Sequence, residues 1–153
     1  MDEAQYIFSE EGMESLDLKK LTPVNIIKAG QKIKVKNEFV MLFVENFERL
    51  VPILTKTELR VLLCILRFLN YENVFSLTQK AISASTGISK TNVSRALKTL
   101  RSRKILSENS DGIGYINPYI FAKGAVLEIK KNIPKLSLVF DGGLESGEIK
   151  KPF

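Results

Sequence analysis

GISKTNVSRALKTLRSRKIL, residues 87–106, carries Lys90, Arg95, Lys98, Arg101, Arg103 and Lys104 and no acidic residue, in a chain that elsewhere mixes its charges. Ser89 stands where a helix N-cap belongs. On a wheel of about 100° per residue, Val93, Ala96, Leu97 and Leu100 gather on one side. Thr91, Arg95, Lys98 and Ser102 gather on the other, with Ser94 beside them. The helix therefore has a core side and a polar, cationic ridge. On an isolated helix such a ridge is ordinarily a solvated face, so its meaning depends on what flanks it.

Upstream, Thr78 is placed to cap a brief helix through Ser85, and TGI forms a tight turn before Ser89. NVFSLT ahead of it is β-branched and aromatic enough for a short strand. Thr55 and Glu58 make a capping box that starts a helix reaching about Asn70, with Leu59, Leu62, Leu63, Leu66 and Leu69 as its buried stripe. From Asn37 as cap, EFVMLFVENFERLVPIL reads as a lead helix with Phe39, Leu42, Phe43, Phe47 and Leu50 on its apolar stripe, stopped by Pro52. Downstream, KILSENSDGIGYINP gives a strand, an Asn/Ser/Asp/Gly turn and a second strand with Ile113, Tyr115 and Ile116, which is a hairpin signal. Helix, strand, helix, turn, helix and hairpin in this order define a winged helix-turn-helix. The expected fold class is mainly α with a small β wing (α+β), completed by the lead helix and a short C-terminal strand segment.

Three regions follow. Residues 1–36 read as an N-terminal β or irregular extension, with a short strand at Tyr6, Ile7 and Phe8 and an alternating stretch at residues 26–36 that turns near Gly30. Residues 37–140 form the winged helix domain, in which YIFAKGAVLEIKK is a short helical or turn segment and KLSLVFD supplies the closing strand near residues 136–140. Residues 141–153 are Gly-rich and polar and read as a flexible tail.

Composition narrows the chemistry. At 153 residues and 44% hydrophobic content the chain can bury one real core, and its net charge of +6 favours a polyanionic partner. No stretch approaches the roughly 18 apolar residues that span a bilayer, and the N-terminus is acidic where a signal peptide is basic. A soluble, cytoplasmic protein with no membrane partner is expected. Cys64, the one cysteine, sits in LRVLLCILRFL and reads as a small buried hydrophobe. The absence of histidine removes Cys/His and Ser/His nucleophile pairs and most zinc sites. No GxxxxGK[ST] loop is present, and Glu10, Glu11, Glu14 and Asp17 show no spacing that converges on an ion. No enzyme activity, metal or cofactor is expected.

The basic helix instead suits the DNA major groove. Its N-terminal residues Lys90, Thr91, Asn92, Ser94 and Arg95 would meet base edges, since Arg pairs with guanine O6 and N7 and Asn with adenine N6 and N7. Lys98, Arg101, Arg103 and Lys104 come later and would meet phosphates, as would Thr78 and Lys80 at the start of the supporting helix. The turn at residues 109–112 carries Asp111, with Glu108 nearby, so the wing should add little base readout. Double-stranded DNA is thus the expected partner. A homodimer on two half-sites would multiply affinity, with Phe39, Phe43 and Phe47 as candidate interface; packing on the domain core would satisfy the same residues.

The pairing of SLTQKAISASTGISKTNVSRALKTLRSRKIL with GIGYINPYIFAKG, within residues 39–124, resembles the RepL family of plasmid replication proteins. That family follows its winged-helix core with Asn-Pro, an apolar or aromatic pair and a Gly, here Asn117, Pro118, Ile120, Phe121 and Gly124. Toward the N-terminus, SEEGMESLDL matches the family's acidic stretch only loosely. The resemblance implies initiation of plasmid replication and plasmid maintenance, by binding origin DNA and recruiting host replication proteins. A rolling-circle nickase would need histidine ligands beside a nucleophilic tyrosine, so Tyr115 and Tyr119 read as packing aromatics. The alternative is a winged-helix transcriptional regulator or repressor, which shares the helix-turn-helix half.

Overall fold

The computed structural model describes residues 25–28, 31–34, 39–124 and 126–153. The strand expected at Tyr6 to Phe8 and the cap expected at Asn37 lie outside the described residues. Strands β1 (Asn25–Lys28) and β2 (Gln31–Lys34) pair antiparallel with Asn25 opposite Lys34, as the alternation around Gly30 predicts.

The lead helix is shorter than its apolar stripe suggests. Met41–Leu42 form β3, paired antiparallel with β7 (Phe121–Ala122), and helix α1 (Val44–Leu50) begins only after Phe43. The Phe43 amide donates to the Ile120 carbonyl at 2.9 Å. An aromatic and β-branched stretch such as FVMLF satisfies its backbone well against a strand edge, and the segment after the hairpin supplies that edge. Phe47 meets Phe121 edge to face at 5.5 Å and Phe43 meets Phe153 at 5.7 Å, so these two rings pack within the chain. A 3-10 turn, Val51–Ile53, with Pro52 at its start, leads to the next helix.

Helix α2 (Lys56–Arg67) opens on the expected capping box: Glu58 N donates to Thr55 Oγ1 at 3.2 Å and Thr55 N to Glu58 Oε2 at 2.8 Å. Its buried face is Val61, Leu62, Cys64 and Ile65, and Leu63, placed by the sequence on the core stripe, is 61% exposed. The run VLLCIL is apolar nearly all round, so its period does not fix which side turns inward.

After α2, a 3-10 turn at Tyr71–Asn73 precedes β4 (Val74–Phe75), helix α3 (Gln79–Thr86) and helix α4 (Lys90–Ser102). Strands β5 (Leu106–Glu108) and β6 (Gly114–Ile116) make the hairpin, and the sheet order is β4-β6-β5, all antiparallel. Gly114 is required there: a Cβ would lie 2.3 Å from Cζ of Phe75.

Helix α5 (Val126–Val139) replaces the closing strand expected near residues 136–140. Ile129, Leu136 and Phe140 are buried and Ile133 packs against the core, a helical spacing that Pro134 inside the same stretch obscures. The segment expected as a flexible tail makes packed contacts. Leu144 and Ile149 are buried, Phe153 also meets Tyr119 edge to face at 6.0 Å, and residues 141–153 lie against the core without regular secondary structure. The apolar anchors Leu144, Ile149 and Phe153 are spaced through a polar stretch whose average composition hides them. The resulting architecture is mainly α with small antiparallel sheets.

Candidate nucleic-acid interface

The sequence builds a short supporting helix, a tight bend and a longer helix, each with its own local signal. Thr78 Oγ1 accepts from Ala81 N at 3.1 Å and opens α3. Gly87 closes it at φ 72°, a left-handed conformation natural to glycine, with its amide bonded to the Ser83 carbonyl at 2.9 Å. Ser83 Oγ donates to the Ile88 carbonyl at 2.6 Å and so fixes the bend. The Arg60 guanidinium of α2 donates to the Thr86 carbonyl at the end of α3. Ser89 Oγ then accepts from Asn92 N at 3.3 Å and opens α4.

Val93, Ala96, Leu97 and Leu100 are buried, against α2 and α3. Burial of four apolar side chains along one side leaves no freedom in which side of α4 faces out. The outward residues are Lys90, Thr91, Asn92, Ser94, Arg95, Lys98, Arg101 and Ser102, all exposed. Thr78 and Lys80 are exposed at the start of α3. Among the described residues, the side chains of Lys80, Lys90, Arg95 and Lys98 make no hydrogen bond or ion pair.

Three of the expected phosphate contacts are placed differently. Arg101 Nη2 lies 2.5 Å from Glu108 Oε2 on β5, which ties the last turn of α4 to the hairpin. Arg103, just past α4, is half-buried, and its Nε is enclosed without a hydrogen-bond partner. Lys104 turns at φ 59° and its ammonium donates to the carbonyls of Gly143 and Glu145 at 3.2 and 3.4 Å, away from the ridge. That contact depends on the C-terminal segment being packed, which its composition conceals.

The motif after the hairpin is internal. Asn117 is fully buried: its Nδ2 donates to the carbonyls of Lys104 at 2.9 Å and Leu144 at 2.8 Å, and its Oδ1 accepts from Tyr119 N at 2.9 Å. Pro118, Ile120 and Phe121 are buried, and Gly124 takes φ 121° beside Tyr71. Asn117, Pro118, Ile120 and Phe121 join the hairpin to the rest of the core and present no surface to a ligand, whereas Gly124 is only half-buried. Burial, and secondarily the Glu145 carboxylate, push the Tyr119 phenol above its ordinary pKa, consistent with a packing aromatic.

Two further buried asparagines carry comparable duties. Asn46 Nδ2 donates to the carbonyls of Tyr119 and Lys150, both at 2.7 Å, and its Oδ1 accepts from Lys150 N at 3.0 Å. Asn73, at φ 60°, donates to the Phe121 carbonyl at 2.7 Å and accepts from Lys123 N at 3.0 Å. An asparagine within an apolar stretch, as in VENF, is the one sequence signal for such a pin, and it does not name the partner.

Among the described residues no cluster of histidine, cysteine or carboxylate side chains could hold a metal, and no helix is long and apolar enough to cross a membrane. The arrangement offers an exposed cationic ridge on a firmly seated helix, a second basic group at the start of the supporting helix, and a hairpin on a three-stranded sheet. The family of plasmid replication proteins accounts for the chain as a whole: the model described as Firmicute plasmid replication protein (RepL) matches residues 18–137. The chain belongs to the RepL family. No curated protein and no solved structure matches it.

Proposed function

We propose that this chain is a non-catalytic initiator that binds double-stranded DNA at its plasmid origin, in the cytoplasm, and recruits host replication proteins there. The observation that carries the reading is the exposed face of α4, acid-free and bearing Arg95 and Lys98, which have no partner among the described residues. In this reading α2, α3, α4 and the β5–β6 hairpin act as a winged helix-turn-helix. Thr91 and Arg95, with Lys90, Asn92 and Ser94, face the base edges in the major groove. Lys98, Lys80 and Thr78 hold phosphates.

The Arg101 guanidinium contributes less to phosphate binding than its position suggests, because Glu108 neutralises it. Lys104 contributes through the fold and not through DNA. Membership of the RepL family supports an initiator over a transcriptional regulator of similar architecture.

The test is persistence of a plasmid that carries the origin region but lacks its own replication gene. Supplying this gene alone should restore inheritance, and Arg95→Ala should abolish it while the protein stays folded. Tight, specific DNA binding without restored inheritance would make the protein a regulator instead.

A further inference from the structure

The outer face of α2 carries a patch that DNA binding through α4 does not use. Leu63 is 61% exposed and Phe68 44% exposed. With Cys64 they line an open groove of about 320 Å³ whose other walls are Arg60, Arg67, Ser85 and Thr86. The Arg60 guanidinium is fixed by its bond to the Thr86 carbonyl, and that of Arg67 lies 5.8 Å over the Phe68 ring. Among the described residues no carboxylate lines the groove. Two large apolar side chains held in water between two oriented guanidinium groups favour a ligand that brings both apolar surface and negative charge.

We infer that this groove docks an acidic amphipathic helix from another protein. Its apolar stripe covers Leu63 and Phe68, and carboxylates on either flank meet Arg60 and Arg67. A second copy of the chain is a poorer occupant, because a two-fold contact would set this cationic face against itself. A DNA backbone could meet the arginines, yet it would leave Leu63 and Phe68 against hydrated phosphates with nothing apolar to cover them. The inference does not depend on α4 reading DNA.

The test uses the full chain and two labelled helical peptides with leucines at helical spacing, one flanked by glutamates and the other by lysines, followed by fluorescence anisotropy. The wild type should bind the glutamate peptide in preference to the lysine peptide. Leu63→Ser and Phe68→Ser should each weaken that binding by roughly tenfold. Arg67→Glu should reverse the preference between the two peptides, a result that loss of folding cannot produce. The inference fails if the wild type shows no preference for the glutamate peptide or if Leu63→Ser binds it unchanged. Self-association that Leu63→Ser abolishes would assign the face to a second copy and overturn it. So would equal losses of random-duplex binding in Arg60→Gln and Arg67→Gln with Leu63→Ser silent, which would assign it to DNA.

Discussion

The side-chain amide of Asn117 donates to the main-chain carbonyl of Leu144 at 2.8 Å, and so joins the end of the hairpin to the C-terminal segment. The same amide holds the Lys104 carbonyl just past α4. Asn117→Ala would strand the buried Leu144 carbonyl and Tyr119 amide, at about 1–3 kcal/mol for each, and release the part-buried Lys104 carbonyl at less. Denaturant titration should show the loss. The ridge of α4 is untouched, so duplex affinity of the folded fraction should be unchanged.

Gly114→Ala should destabilise by about 1–3 kcal/mol, because the added Cβ meets the Phe75 ring where β4 and β6 pair. Phe75→Leu costs stability by itself but makes room at that contact. The two substitutions together should therefore cost less than their sum, and a double-mutant cycle by thermal unfolding measures the difference.

The Arg101–Glu108 pair is largely exposed, so breaking it should change stability by no more than about 1 kcal/mol. Its effect on DNA should be clearer. Glu108→Gln removes a carboxylate and releases a cation at the end of α4, so affinity for random duplex should rise and its dependence on salt should steepen by about one phosphate contact. Unchanged affinity and slope would mean that Arg101 never reaches the backbone.

What could be read from the sequence was local. Thr55, Thr78 and Ser89 cap α2, α3 and α4 as their spacing predicts, and Val93, Ala96, Leu97 and Leu100 form the buried side of α4. These features depend on neighbours a few residues away. The errors arose where distant segments decide the outcome. Met41–Leu42 become a strand only because Phe121–Ala122 lie alongside them. Residues 141–153 are bonded to the rest of the chain through Asn46 and Asn117, and Lys104 is drawn off the ridge by the same segment. The orientation of α2 followed the same rule: with apolar residues on every side, tertiary contacts chose the face and left Leu63 outside.

The central claim is that α4 distinguishes sequences with Arg95 and grips the backbone with Lys98, and competition between origin duplex and random duplex across a salt series tests it most directly. Arg95→Ala should lose about 1–3 kcal/mol of discrimination while keeping most of its affinity for random duplex. Lys98→Ala should weaken both duplexes alike and lower the salt slope by about one phosphate contact. Equal loss on both duplexes from Arg95→Ala would contradict the account.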